Sequence, residues 1–248
     1  MLDDTAEMLS PPGFLPQLPD DVFEELHIVP DPDNPFHQTI GRVLVAAQTV
    51  GLKHHQQIIL AQPKNEIIVH FPVLMDDGHH ELFKGYRVQH NNALGPYKGG
   101  IRFHHRVNLD LTKSLAVLMT VKSALVRVPL GGGAGAVRCS PRELSDDELM
   151  RVTRRFCSAI SNQIGPDYDI LAPDIGTNSR IMAWLLDTYQ QMMPEETRQD
   201  MRRVVTAKPL ELGGSVGRDK ATGQGLVDVL REMLPDFGID IHDMTYSL

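Results

Sequence analysis

The feature that most constrains this chain is a switch in hydrophobic period near residue 66. Before the switch, apolar residues recur at helical spacing after Asn34, which can cap a helix, and Pro35, which suits a first turn. After it, residues 66–90 alternate apolar and polar on both sides of Asp77-Gly78, a pair that favours a tight turn. The sequence therefore predicts a helix followed by a β-hairpin.

Helical and extended patterns continue to alternate along the rest of the chain. Apolar residues return to helical spacing from Asp110, Ser145 and Glu148 form a capping box, and Asn178 can cap a further helix. A glycine-rich segment at residues 213–225 opens a last helix. Because strands and helices alternate, the sequence predicts an α/β fold.

Composition and charge exclude several classes of function. With 24 basic and 32 acidic residues, the net charge of −8 lacks the positive field that nucleic-acid binding needs. No apolar run is long enough for a membrane span, and the N-terminus has no signal-peptide pattern. Cys139 and Cys157 are therefore expected as reduced thiols of a cytoplasmic protein. The proline-rich residues 1–33 are expected to form a flexible arm.

Two lysines are candidate anion-binding residues. Lys122 falls in the apolar stripe of the helix from Asp110, where a buried ammonium must find an anion, lose its charge or extend to water. Lys98 precedes Gly99 and Gly100, which permit a close backbone approach, so its ammonium can meet a carboxylate or phosphate. The alternative for Lys122 is a side chain at the edge of the stripe whose ammonium reaches water. The alternative for Lys98 is an ordinary solvated turn.

Asp174 follows a short extended segment and precedes a predicted helix. Because ligands of α/β proteins gather at the carboxyl ends of strands, this carboxylate is a candidate acid or base, with a helix cap or Asx turn as the alternative. Residues 131–136 (GGGAGA) look like a dinucleotide fingerprint, but residues 137–141 suggest a strand and turn instead of a helix, so a glycine-walled pocket floor is expected. The paired histidines lack the spacing of zinc ligands, and no metal is expected.

Five segments together resemble the glutamate dehydrogenase branch of the amino-acid dehydrogenases. They are residues 85–91 (GYRVQHN), 95–104 (GPYKGGIRFH), 119–122 (MTVK), 172–178 (APDIGTN) and 208–215 (KPLELGGS). The resemblance covers about residues 34–240. It implies an N-terminal α/β substrate-binding and oligomerisation domain at 34–207, followed at 208–248 by a hinge and the first helix toward a nucleotide-binding domain.

The resemblance implies roles for residues at the matching positions. Lys98 would hold the side-chain carboxylate of glutamate or 2-oxoglutarate, Lys122 would hold the α-carboxylate, and Asp174 would transfer protons at the α-amino centre. Met119 and Ala172 would also contact the substrate. Branches that act on leucine, phenylalanine or valine carry an apolar residue at the position of Lys98, so a dicarboxylic substrate is expected.

Two departures from the family pattern bear on catalysis. Ala134 occupies the position of the family's catalytic lysine, and a methyl group can neither polarise a carbonyl nor activate water. The chain also ends about where the Rossmann domain that binds NAD or NADP would begin, so Arg218 and Thr222 are expected as vestigial contacts to the nicotinamide end. The family implies this coenzyme, while the chain alone is expected to lack a full site for it.

The leading interpretation is an oxidoreductase by descent whose own catalysis is impaired. The alternatives are a non-catalytic regulatory or assembly subunit that joins intact dehydrogenase subunits, and a truncated gene product. Expected partners are glutamate, 2-oxoglutarate or a similar dicarboxylate, and further subunits in a homo- or hetero-oligomer. The apolar strand around Ile67, Val69 and Phe71 is the expected interface between subunits.

Overall fold

The computed structural model describes residues 20–245. The helices within them are α1 (Asp20–Glu25), α2 (Pro35–Thr49), α3 (His54–Ala61), α4 (Leu109–Leu125), α5 (Asp146–Ile160), α6 (Ser179–Gln191) and α7 (Arg218–Met233). The strands are β1 (Asn65–Leu74), β2 (His80–Asn91), β3 (Tyr97–Phe103), β4 (Gly132–Arg138) and β5 (Asp169–Pro173). The predicted α/β fold and its β-hairpin, formed by β1 and β2, are confirmed.

The five strands form one mixed sheet in the order β1-β2-β4-β3-β5. β2 pairs antiparallel with both β1 and β4, whereas β3 pairs parallel with β4 and β5. α5 and α6 bury the main hydrophobic core against one face, and α4 packs on β2 and β4 on the other. The second face is therefore covered over β2 and β4 but less so toward β5.

Side-chain caps begin three of the predicted helices where the sequence placed them. The Oδ1 atom of Asn34 accepts from the backbone of Phe36 at 2.9 Å, which starts α2. Ser145 and Glu148 form the reciprocal capping box of α5, and Asn178 accepts from the first turn of α6 at 3.1 Å. These local interactions need no tertiary context, which explains why the sequence alone locates them.

The apolar stripe predicted along α4, which is Leu111, Leu115, Leu118, Lys122 and Leu125, is correct only in its first half, where Leu111 and Leu115 pack against the core. Leu118, Lys122 and Leu125 are exposed, and the buried residues of the helix are Thr112, Ser114, Ala116, Val117 and Ser123. A Cβ atom on Gly132 would lie 2.5 Å from the carbonyl oxygen of Ala116, so helix and strand are in close contact there. Only small side chains fit at this closest contact, and Leu118 and Leu125 face away from it.

The interface expected around Ile67, Val69 and Phe71 also needs correction. Phe71 is buried in the main core, and Ile67 and Val69 pack against that core. The side chains of β1 that point outward are the alternate ones, and among them Ile68 and Leu74 are 44% and 47% exposed. The exposed apolar surface of β1 is therefore its opposite face.

Part of the proline-rich arm lies within the structure. Residues 1–19 are outside the described range, but α1 follows, and its Val22 and Phe23 are buried with residues of α2 and α3. Cys139 and Cys157 are both buried and free. Among residues 20–245, no helix is long and apolar enough to cross a membrane.

An ion pair on the core side of the sheet joins β2 to β5. Arg87 and Asp169 are both inaccessible to solvent, and the guanidinium donates to both carboxylate oxygens, with Nε to Oδ2 at 2.9 Å. The Oδ2 atom also accepts from Nε2 of Gln89 at 2.8 Å. These hydrogen bonds satisfy the buried carboxylate, which is the condition for keeping such a pair inside a protein.

Glycines on the two intervening strands allow the Arg87 side chain to cross the sheet to Asp169. A Cβ atom on Gly133 would lie 3.2 Å from Nη2 of Arg87, and one on Gly135 would lie 3.4 Å from its Cδ atom. On the next strand, a Cβ atom on Gly99 would lie 1.5 Å from the carbonyl oxygen of Gly133. The glycine runs of β3 and β4 therefore leave room for the arginine side chain that lies across them.

Substitution of Arg87 tests how much this ion pair contributes to the stability of the fold. Arg87→Met leaves the Asp169 carboxylate buried without its cation, so the free energy of unfolding should fall by about 3–5 kcal/mol. Urea unfolding followed by circular dichroism measures it. Arg203→Met is the matched control, because Arg203 forms an exposed pair with Asp167 at 3.4 Å and should cost about 1 kcal/mol or less. Equal losses in the two variants would contradict this assignment.

Candidate functional site

The candidate site lies on the face of the sheet opposite the Arg87 pair, where β3 meets β5. Register pairs Lys98 with Ile170 and Gly100 with Ala172. Paired residues of parallel strands share a face and alternate residues of a strand return to it. Lys98, Ala172 and the end of β5 that leads to Asp174 are therefore brought together as the resemblance implied.

Lys98 is half-buried and is held by a hydroxyl group. Its Nζ atom donates to Oγ1 of Thr206 at 3.0 Å. Burial lowers the pKa of Lys98 to about 8, and the positive charges of Arg87 and Arg218 act in the same direction, while Asp169 opposes them. No carboxylate within residues 20–245 forms an ion pair with this ammonium, so its charge is free to meet an anion.

Asp174 is held by an arginine one strand away. Its Oδ2 and Oδ1 atoms accept from Nε and Nη2 of Arg102 at 3.2 and 3.3 Å. Oδ1 also accepts from the backbone of Ile175 at 2.7 Å, whereas the cap of α6 is Asn178. A Cβ atom on Gly100 would lie 2.7 Å from Cβ of Asp174, so only glycine leaves the carboxylate its place.

Ala134 lies on the same face, one strand over from Lys98. Arg102 pairs with Ala136, and by the same alternation Ala134 lies beside Gly100. Its side chain is buried against Val88 and Ala116 beneath α4. β4 is formed mainly by the glycine run itself and ends at Arg138, so the strand expected at residues 137–141 begins earlier than predicted, and the run is a close-packed central strand.

Met119 and Lys122, the residues of α4 that are expected to contact the substrate, lie on the side of the helix that solvent can reach. Leu115, Met119 and Lys122 are spaced four and three apart, which places them on one side of the helix. Leu115 packs against the cluster that contains Ala134, Met119 is half-buried, and Lys122 is exposed. Lys122 thus reaches water, the alternative to a buried ammonium, on the helix face that adjoins Ala134.

Arg218 and Thr222 occupy the first turns of α7. Nη1 of Arg218 donates to Oγ1 of Thr222 at 3.3 Å, and the positive charge of Arg218 contributes to the lowered pKa of Lys98. Thr222 is exposed. Among the described residues, histidine, cysteine, aspartate and glutamate side chains form no group of three or more that could hold a metal.

Sequence reasoning missed three residues that shape this site. Thr206 is 108 residues from Lys98, and nothing in a lone threonine signals the contact. Arg102 and Arg87 stand inside segments that were recognised, but their partners on β5 are apparent only once β3 and β5 are paired. The available signal was Arg102 itself, because an arginine two residues after Gly-Gly on a buried strand indicates that a carboxylate lies opposite.

Comparison with known proteins shows the family to which this fold belongs. The model of the Glu/Leu/Phe/Val dehydrogenase dimerisation domain matches residues 63–191. The chain therefore belongs to this family. Its relatives are glutamate dehydrogenases, and the resemblance seen in the sequence is confirmed.

Two relatives and one solved structure show the extent of the match. The glutamate dehydrogenase of Thermotoga maritima is 49% identical over 203 residues, 82% of this chain and 48% of the relative. The catabolic NAD-specific glutamate dehydrogenase of Bacillus subtilis is 40% identical over 210 residues, 85% of this chain and 49% of the relative. The hetero-hexameric glutamate dehydrogenase of Thermus thermophilus in its Leu-bound form has a TM-score of 0.78 at 41% identity, covering 86% and 50% of the two chains. The chain thus spans about half the length of these proteins.

The low pKa of Lys98 makes a prediction about stability and pH. The folded state releases this proton near pH 8 and the unfolded state only near 10.5, so the unfolded chain holds more protons in between and stability should rise with pH there. Lys98→Met should therefore be more stable than wild type at pH 7, by about 2 kcal/mol, and the difference should close toward pH 10.5. Urea unfolding of both proteins from pH 7 to 10.5 measures it, and a difference independent of pH would contradict it.

Proposed function

We propose that this domain binds a dicarboxylate of the glutamate and 2-oxoglutarate class. The observation that carries the proposal is the half-buried ammonium of Lys98, which is fixed in place yet has no carboxylate partner among residues 20–245. A buried charge favours an opposite charge that also hydrogen-bonds to it. Lys98 supplies this for the side-chain carboxylate of the ligand.

The other end of the ligand lies toward α4. Lys122 is exposed there on the same helix face as Met119, so its ammonium can extend toward an α-carboxylate bound beside that helix. Ala172, which pairs with Gly100, adds a small side chain to the floor. A ligand between the two lysines would cross the face beside Asp174.

We further propose that catalysis by this domain is impaired. In the family pattern, the amine of a lysine at the position of Ala134 acts together with an aspartate at the position of Asp174. Asp174 retains its place and can move a proton, but Ala134 offers a methyl group packed against Val88 and Ala116. A positioned acid-base group supplies roughly 10²- to 10⁴-fold in rate, and this contribution is lost here.

A nicotinamide coenzyme supplies hydride transfer in this family when it is bound. Arg218 and Thr222, which match positions near its nicotinamide end, are hydrogen-bonded to each other at the start of α7 and would contact that end. Residues 132–136 of the glycine-rich run lie within β4 and do not open a helix, so this run offers no cradle for the pyrophosphate.

Ligand titration tests the binding site. Calorimetry should show 2-oxoglutarate binding to the wild-type chain, and Lys98→Met should weaken it by about ten- to a hundredfold, because a charge-assisted hydrogen bond is lost. The matched control variant is Lys220→Met, which removes an exposed lysine of α7. If 2-oxopentanoate, which has a methyl group in place of the second carboxylate, binds as tightly as 2-oxoglutarate, the role of Lys98 is wrong.

An activity assay tests the loss of catalysis. With 2-oxoglutarate, ammonium and NADH or NADPH, the purified chain should turn over at least about 100-fold more slowly than the Thermotoga maritima relative assayed beside it. Asp174→Asn identifies any contaminating host enzyme, since only activity of this chain depends on that residue. Impaired catalysis would be refuted if the chain turned over as fast as the relative and if Asp174→Asn abolished this activity.

A second candidate function is a subunit that assembles with intact dehydrogenase subunits. The observation in its favour is β1, which pairs only with β2 among the described strands and turns exposed Ile68 and Leu74 outward. Such an edge with exposed apolar residues is suited to pairing with another chain. The similar enzyme of Thermus thermophilus is itself a hetero-hexamer.

Co-expression distinguishes this second candidate from the first. Native mass spectrometry of the chain produced together with a tagged full-length relative should show mixed oligomers, and Ile68→Lys should dissociate them because it places a charge in the contact. Val229→Lys, at an exposed apolar position of α7, is the control and should leave them intact. If the chain stays monomeric and forms no mixed oligomer with the relative, the assembly role is excluded.

A further inference from the structure

We propose that Thr206 is a positioning residue for Lys98, which aims the ammonium at the ligand without neutralising it. The inference rests on the proposed dicarboxylate site and deepens it, because it names what sets the direction and the charge of the recognising group. It is carried by the hydrogen bond of 3.0 Å from Nζ of Lys98 to Oγ1 of Thr206.

The hydroxyl group of Thr206 is itself fixed in direction. Its Oγ1 atom donates to the carbonyl oxygen of Leu171 on β5 at 3.1 Å, and its backbone amide donates to the same oxygen at 2.9 Å. A hydroxyl group has one proton to donate, so its lone pairs are left for Lys98. Thr206 therefore acts as an acceptor for Lys98 whether that lysine is charged or neutral.

The charges around Lys98 explain why a neutral acceptor matters. Arg87 and Arg218 repel the ammonium, and Asp169, whose negative charge attracts it, is already bonded to Arg87 and Gln89. A carboxylate in place of Thr206 would pair with Lys98 and compete with the ligand. The hydroxyl group holds one of the three ammonium donors and leaves two for an incoming carboxylate.

Two substitutions at Thr206 separate positioning from simple packing. Thr206→Val keeps the shape but removes the acceptor, so the pKa of Lys98 in the free protein should fall below its wild-type value, and 2-oxoglutarate should bind about tenfold more weakly. Thr206→Ser keeps the hydroxyl group and should restore both properties. Thr206→Ala is a second variant without the hydroxyl group, should the valine variant fail to fold.

The measurements are NMR titration of ¹³C-methylated lysines, with the Lys98 signal assigned by its absence in Lys98→Met, and calorimetry with two ligands. Binding of 2-oxopentanoate should change less than twofold in Thr206→Val, because it has no carboxylate for Lys98 to hold. A loss that is equal for both ligands would show a merely structural role and overturn the inference.

The two proposals fail in distinguishable ways. If the wild-type chain binds 2-oxoglutarate and Thr206→Val changes neither its affinity nor the titration of Lys98, the inference about Thr206 is refuted and the dicarboxylate site stands. If the wild-type chain binds no 2-oxoglutarate, the dicarboxylate site is refuted. In that case the positioning role is still overturned if the pKa of Lys98 is the same in wild type and in Thr206→Val.

Discussion

The buried ion pair between Arg87 and Asp169 is the constraint on which the rest of the sheet depends. It links β2 to β5 across two intervening strands, and the carboxylate is satisfied on all sides by Arg87 and Gln89. Because Asp169 begins β5, the pair fixes where that strand starts along β3. The register that results places Ala172 and the approach to Asp174 beside Lys98 on the opposite face. A structural pair on one side of the sheet thus sets the geometry of a candidate binding site on the other.

Small residues are the second requirement, and they serve both faces. Glycines of β3 and β4 make room for the arginine on the core side, while Gly100 leaves the position of Asp174 free and Gly132 lets α4 approach closely. In this setting Ala134 fits the packing under α4 without supplying the amine that the family pattern has there. In the proposed function, binding and catalysis would therefore depend on different residues: binding on Lys98 and its neutral partner Thr206, and catalysis on an acid-base pair that lacks the lysine amine.

How far the sequence predicts this structure depends on whether an interaction is local. Helix caps at Asn34 and Ser145 and the turn of the hairpin involve residues within a few positions, so the sequence is enough to locate them. The buried face of α4 was predicted only in part, because the glycine strand beneath the helix selects Ala116 at the closest contact while Leu118 and Leu125 face away. The partners of Lys98 and Arg87 lie 108 and 82 residues away, and no periodicity encodes them. The lysines and Asp174 were identified through motifs, whereas their orientation needed the fold.

The Arg87 pair holds β5 in register beneath the site, and hydrogen exchange followed by mass spectrometry on Asp169→Asn measures this, because the change keeps the size of the side chain and removes its charge. We expect amides of β3 and β5 to exchange at least tenfold faster than in wild type, while those of the hairpin formed by β1 and β2 keep their protection. Unchanged exchange in β3 and β5, or the same increase in every strand, would contradict it.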